Sequence, residues 1–173
     1  MDGIRLSRTK EQFSALRRFQ DKCDLEAITL LACNATRGEA GTAFAEPYSI
    51  RPGVSNVSSS QSGRLFVAKI SFEYDAWDSS EPSQRLFQVN CTFEISYRLR
   101  EGYIPTDEER MSFSHATAVF NCWPYAREFF RDMTSRLGHN APVLPLLHVI
   151  PKQQAAAQQP ELEAPDNANE SGE

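Results

Sequence analysis

The chain has 173 residues, of which 40% are hydrophobic, and a formal net charge of −5, which is typical of one domain with a tail. No run approaches the roughly 18 consecutive apolar residues that a membrane-spanning helix needs, and the first residues lack the apolar core of a secretory signal. We therefore expect a cytoplasmic protein without membrane insertion. No basic face or arm is present, which excludes nucleic acid as a partner.

The negative charge is concentrated at the C-terminal end. Residues 152–173 carry one basic and five acidic side chains and no aromatic residue, a composition typical of disordered segments. We predict a folded domain over 1–151 and a disordered acidic tail over 152–173. The tail is interpreted either as a solubilising end or as an interaction segment.

The first predicted element is a short amphipathic helix. Thr9 and Gln12 have the spacing of a capping box. An apolar stripe follows at helical spacing, at Phe13, Leu16, Phe19 and Cys23. A strand is predicted next over 24–36, ending near Gly38. Residues 42–52 can be extended, whereas the Ser- and Gly-rich stretch 53–63 is predicted to be a loop.

Two long segments follow in which apolar and polar residues alternate, without a break in the second. Residues 64–77 and 85–100 each place large apolar side chains at every second position, a pattern typical of antiparallel strands with one covered and one solvated face. The turn residues at 78–84 between them predict a hairpin. Its apolar face needs a covering element.

A helix near residues 121–138 is predicted to supply this cover. Asn121 is a candidate cap, Pro124 suits a first turn, and Gly138 suits the end of a helix. The apolar stripe consists of Phe129, Phe130, Met133 and Leu137. Residues 105–120 are interpreted as a polar loop or short helix leading in, and 139–152, broken by prolines, as an extended segment.

The stretch Trp123–Glu128, with the sequence Trp-Pro-Tyr-Ala-Arg-Glu, and the proline-rich segment 141–149 resemble the SecB export chaperones. The resemblance extends over about residues 19–150. It implies an α+β fold, with a four-stranded antiparallel sheet packed by one long C-terminal helix, to which this chain adds an N-terminal helix and the acidic tail. It also implies a homotetramer built as a dimer of dimers, without a cofactor. Solitary and toxin–antitoxin-associated SecB-like chaperones are similar in having altered ends.

The function that this resemblance implies is ATP-independent holding of unfolded or nascent polypeptides for protein export, through an apolar groove. The implied partners are unfolded preproteins and the SecA motor of protein translocation. The alternative is a dedicated chaperone of an antitoxin or another single client. We assign the client groove to large side chains near Pro-, Ser- and Gly-rich segments, namely Phe44, Tyr48, Phe66, Phe72, Tyr74 and Trp77. The family element and oligomer interface are assigned to Trp123, Pro124, Tyr125, Arg127, Glu128, Phe129 and Phe130.

Other interpretations remain open at this point. The eleven Phe and two Trp residues can form the core and the oligomer interface instead of a client surface. An enzyme is the rival class, with histidines at 115, 139 and 148 beside Cys122 and Asp132, but these residues have no metal-binding spacing, and no nucleotide-binding motif is present. A barrel for a small ligand would need more strands. The four cysteines are interpreted as reduced core thiols.

Overall fold

A computed structural model describes residues 4–38, 48–79, 84–140, 144 and 147–151. In chain order the elements are β1 (Ile4–Arg8), α1 (Lys10–Gln20), β2 (Cys23–Arg37), β3 (Tyr48–Ser62), β4 (Leu65–Asp78), β5 (Arg85–Leu99), α2 (Asp107–Phe113), a π-helical turn (Ser114–Ala118), α3 (Val119–Arg136) and β6 (Leu147–Pro151). The predicted tail at 152–173 and Phe44 lie outside the described residues.

Strands β2 to β5 form one antiparallel sheet in the order β2-β5-β4-β3. The predicted hairpin is β4-β5, which pairs in one register from Leu65 opposite Arg98 to Ala76 opposite Phe87, with a shift before Trp77 opposite Arg85. Along both strands every second side chain is buried, as the alternation of the sequence predicts. The sheet therefore has one covered apolar face and one polar face, and the α+β fold class is confirmed.

The helices cover the apolar face. Phe19 of α1 stacks on Phe113 of α2 with ring centroids 4.1 Å apart, and it meets Phe66 of β4 edge-on at 4.9 Å. Further along, α3 packs Trp123 against Phe72 at 5.7 Å. The extra N-terminal helix is thus part of the same core, which its capping box, confirmed between Thr9 and Gln12, helps to position.

The loop predicted over 53–63 is wrong, because this stretch belongs to strand β3. β3 pairs with β4 along its length, and a bulge after Val54 brings Val57 back to the covered face. An edge strand needs few apolar residues, so pairing with β4 outweighs the low strand propensity of serine. Pro52 is tolerated because β3 lies at the edge of the sheet.

The predicted start of the long helix is also wrong. Thr106 and Glu109 form a capping box that begins α2, and the chain then continues through the π-helical turn into α3. Pro124 therefore lies inside a helix, and Asn121 is not a cap but donates from Nδ2 to the Tyr97 hydroxyl at 2.9 Å. The helix ends as predicted, with Gly138 at φ +86°, a conformation that glycine adopts without strain.

A second sheet was not predicted. β1 and β6 pair in parallel, from Ile4 opposite Leu147 to Arg8 opposite Pro151. The extended conformation predicted for 139–152 is thus confirmed over β6, whose partner is the start of the chain rather than the main sheet, while residues 141–143, 145–146 and 152 lie outside the described residues. This pairing joins both ends of the described domain.

Candidate functional site

Three of the aromatic residues that we assigned to a client groove lie in the core instead. Phe66, Phe72 and Tyr74 have no exposed side-chain surface. They point from β4 towards the helices, and Tyr74 stacks on Phe130 with centroids 5.2 Å apart. The physical reason is their strand parity, since they share a face with Ala68 and Ile70. We therefore correct this part of the assignment.

Of the other three assigned groove residues, Trp77 lies near the end of β4 and Tyr48 is the first residue of β3. Trp77 is half-buried, and the Arg51 guanidinium lies over its ring, 5.2 Å from the centroid. The backbone of Tyr48 pairs with Asp78, but its side chain, like Phe44, lies outside the described structure. Trp77 alone of the six is thus a described residue with a partly open side chain.

The Trp-Pro-Tyr-Ala-Arg-Glu element divides between core and surface. Trp123 and Phe130 are buried in the core of the protomer, so they cannot form the oligomer interface that we assigned to them. Arg127 and Phe129 are half-buried, and Pro124, Tyr125 and Glu128 are exposed. Only the outer residues of α3 are therefore available to contact a second copy of the chain.

Eight large apolar side chains of the described chain are exposed. They are Leu25, Leu30, Leu31, Leu65, Ile104, Met111, Phe120 and Tyr125. Three of them lie on β2, an edge strand of 15 residues whose side chains are mostly exposed on both faces. The helices thus cover β4 and β5 but leave β2 open.

Leu25, Ile28 and Leu30 of β2, together with Tyr125 of α3, form an open apolar surface that we call the β2 ledge. Leu30 lies directly opposite Phe93 of β5, and the ring of Phe93 is 6.5 Å from that of Tyr125. The ledge thus continues the core outwards, from the sheet–helix boundary to the edge of the sheet. Sequence reasoning missed it, although the apolar residues of 24–36 were visible.

Two β-bulges keep these side chains on one face. The register shifts between Leu25 and Ala27 and again between Leu30 and Ala32, so Glu26 and Leu31 are extra residues. At the first bulge the Glu26 carboxylate pairs with Arg98, which directs the charge away from the ledge. Between Cys23 and Ala35, the β2 residues that face the helices are consequently all uncharged.

Polar contacts hold the rim of the ledge in place. Gln20 of α1 donates to the Thr117 hydroxyl at 2.9 Å, and Asn121 donates to Tyr97, as described above. Burial raises the pKa of the Tyr97 hydroxyl well above its ordinary range, although the hydrogen bond from Asn121 opposes this shift. Tyr97 therefore stays neutral near pH 7, so these two contacts bring no charge to the rim.

The opposite face of the sheet is polar. Lys69 lies 3.7 Å from Glu94, Arg85 lies 3.7 Å from Asp75, and the hydroxyls of Ser71 and Thr92 are 2.9 Å apart. Leu65 lies opposite Arg98 on this face. This face therefore lacks the continuous apolar surface that the ledge has.

The candidate residues of the enzyme hypothesis can be located in the described structure. No group of three His, Cys, Asp or Glu residues within the described ranges could hold a metal ion. His115 is exposed in the π-helical turn, whereas His139 is buried beyond the end of α3 and stacks on Phe87 at 4.8 Å. Burial raises the pKa of Cys122 to about 12, so its thiol stays protonated. In the same ranges, no helix is long and apolar enough to cross a membrane.

The fold matches a known architecture. The chain resembles the SecB-like chaperone Rv1957 of Mycobacterium tuberculosis, solved in complex with a ChAD peptide from the HigA1 antitoxin, with a TM-score of 0.69. The likeness covers 79% of this chain and 99% of the other, at 21% sequence identity. No protein-family model and no curated protein matches the sequence. The protein therefore has the SecB-like fold, as its Trp-Pro-Tyr-Ala-Arg-Glu element indicates.

Proposed function

We propose that the protein is an ATP-independent chaperone that holds an extended, unfolded polypeptide on the β2 ledge. The observation that carries the proposal is the edge strand β2, which combines exposed leucines with backbone groups on its outer edge. Unfolded chains offer both complementary features, because their apolar side chains and extended backbone are exposed together.

The nature of the client follows from the same surface. The ledge is uncharged, so it selects apolar segments without regard to their charge, which suits unfolded or nascent preproteins destined for export. A dedicated client is the second candidate, and it is favoured by the SecB-like neighbour, whose complex contains an antitoxin peptide. A short apolar stretch of an antitoxin would occupy the ledge in the same way.

We further propose that the outer face of α3 contacts a second copy of the chain, within a cytoplasmic homotetramer. Phe120 and Pro124 lie one turn apart on α3, and both are exposed. Symmetric packing of this stripe would cover both copies at once. Phe120→Glu should lower the native mass measured by light scattering, while the isolated protomer stays folded.

The client site is tested by a matched pair of leucines. Leu30 on the ledge and Leu65 on the polar face each have 41% of their surface exposed. We expect Leu30→Lys to weaken suppression of aggregation of a chemically denatured, unrelated protein several-fold without nucleotide, and Leu65→Lys to leave it unchanged. Circular dichroism checks that both variants fold.

Three results would contradict the proposal. The first is equal suppression by both variants, and the second is no suppression by the wild-type protein. In the third, Leu30→Lys lowers the native mass but leaves suppression unchanged, which would make the ledge an interface between copies of the chain. A titration with salt adds a further check, because apolar holding should persist at high ionic strength.

A further inference from the structure

Three of the four cysteines lie near one another. Cys33 of β2 pairs in register with Cys91 of β5. Cys122 of α3 precedes Trp123, which packs on Phe72, the β4 neighbour of Cys91. Cys23 is near the other end of β2. The sequence predicted that all four are core thiols, which holds for Cys91 and Cys122 but is wrong for Cys33, since Cys33 is exposed.

The hydrogen-bonding pattern shows how Cys33 and Cys91 face each other. At one end of the β2–β5 ladder the Gly38 amide donates to the Leu86 carbonyl at 2.8 Å. Directly opposite residues alternate between hydrogen-bonded and non-hydrogen-bonded pairs, and the register from Gly38 back to Cys33 is unbroken. Cys33 and Cys91 are therefore a non-hydrogen-bonded pair.

The other end of the ladder gives the same answer. The Arg100 amide donates to the Lys22 carbonyl at 2.8 Å, so even-numbered residues of β5 bond to β2 and odd-numbered residues do not. In a non-hydrogen-bonded pair the Cα atoms are about 4.5 Å apart and the side chains approach closely. This separation falls within the range of roughly 4.4–6.8 Å that a disulfide spans.

We propose that Cys33 and Cys91 are an oxidisable dithiol that forms a reversible disulfide between the edge strand β2 and the strand β5. Cys33 is the thiol that an oxidant meets first, because it is exposed at an edge, whereas Cys91 and Cys122 are buried. Cys91 lies directly opposite and resolves the oxidised Cys33. The bond would anchor β2 two residues beyond its second bulge, at the C-terminal end of the ledge.

The chemistry balances with a hydroperoxide as the oxidant. The Cys33 thiolate attacks one oxygen, the O–O bond breaks, and a sulfenic acid forms while the other oxygen leaves as water or an alcohol. The Cys91 sulfur then attacks the Cys33 sulfur, an S–S bond forms, and the S–OH bond breaks. The hydroxyl leaves as water with the Cys91 proton. Cys91 is buried, which raises the pKa of its thiol to about 12, so the exposed Cys33 reacts with the oxidant first and Cys91 gives up its proton only as it attacks the opposite sulfur.

The test exposes the reduced, full-length chain to hydrogen peroxide, blocks the remaining thiols and digests the protein for mass spectrometry. Before blocking and digestion, the intact mass should be lower by two hydrogens. After digestion we expect a linked pair of peptides containing Cys33 and Cys91, and dithiothreitol should reverse both changes. The thermal midpoint of the oxidised protein should rise by about 5–10 °C. Amides of β2 should also exchange with solvent more slowly.

Variants locate the bond. Cys33→Ser should abolish it, and because Cys33 is exposed, this variant should fold normally. Cys23→Ser and Cys122→Ser should leave it intact. A Cys33–Cys33 bond between two chains, a Cys91–Cys122 bond, or oxidation of Cys33 to a sulfinic acid without a partner would each overturn the proposal. None of these readouts depends on chaperone activity, so the result is independent of the proposed function.

Discussion

Replacing Phe130 by alanine tests whether its side chain belongs to the core of the protomer or to the oligomer interface. Phe130 has no exposed surface, and its ring stacks on Tyr74 at an interplanar angle of 21°. Removing a buried phenylalanine costs about 3–5 kcal/mol of unfolding free energy, which includes the cavity that remains. The lost ring pair accounts for about 0.5–1.5 kcal/mol of such effects. We therefore expect a loss of about 4 kcal/mol.

The matched control is Phe120→Ala on the same helix. Phe120 is 52% exposed on the protomer, so its truncation should cost less than about 1 kcal/mol when measured at a concentration too low for the proposed oligomer to form. Unfolding in urea, followed by circular dichroism at one fixed protein concentration, measures both losses, because assembly makes apparent stability depend on concentration. The reasoning fails if Phe130→Ala is no more destabilising than Phe120→Ala. It also fails if Phe130→Ala halves the native mass while stability is unchanged.

Three further predictions follow from individual contacts. Burial, and secondarily the charge of Arg37, lower the pKa of His139 in the folded state. Because the unfolded state then binds the proton more readily, the free energy of unfolding should fall as the pH drops below about 6.5. His139→Phe should flatten the dependence of the thermal midpoint on pH between 7 and 5. Glu109 is buried and accepts hydrogen bonds from Arg18 Nε at 2.8 Å and from the Thr106 amide at 2.9 Å. Glu109→Ala should lower the free energy of unfolding by about 1 kcal/mol, because the cap of α2 is lost while Arg18 remains mostly in water. An unchanged free energy in urea unfolding would show that this cap does not stabilise the protein. Truncation after Lys152 retains the whole β1–β6 pairing, so the fold, the native mass and the suppression of aggregation should be unchanged. We propose that the acidic tail contributes only to binding a basic surface, with the SecA motor as the candidate partner, and a pull-down should then show a salt-dependent loss on truncation. Loss of suppression would assign client binding to the tail.

The elements that sequence predicted well are those with a long, uninterrupted period. The β4–β5 hairpin has strict alternation, and the stripe that includes Phe130 has helical spacing, so both patterns outweigh local propensity. β3 could not be predicted in this way, because its serines pack against β4 only after the chain has folded. The capping box at Thr106 and Glu109 was present in the sequence and indicates the true start of the helix.

The candidate site was predicted less well than the fold, for a physical reason. Aromatic size directed attention to Phe66, Phe72 and Tyr74, yet their shared parity with Ala68 and Ile70 already indicated the covered face. Which side chains stay exposed depends on how many strands of the sheet α3 covers, and no local sequence pattern determines this. The family element likewise contains both core and surface residues, because a helix presents neighbouring residues to different sides.

The bulges of β2 explain how an edge strand can be apolar on one face and still carry a charge beside that face. With strict alternation, Leu25 would share its face with Ala27, Thr29 and Leu31, and Ile28 and Leu30 would point to the polar side. The extra residue Glu26 reverses this parity, and its carboxylate reaches Arg98 on the polar face. The second bulge restores the parity for Cys33, opposite Cys91. The same two residues, Glu26 and Leu31, therefore set both the apolar ledge and the position of Cys33, so the disulfide that we propose would form at one end of the surface proposed to hold the client.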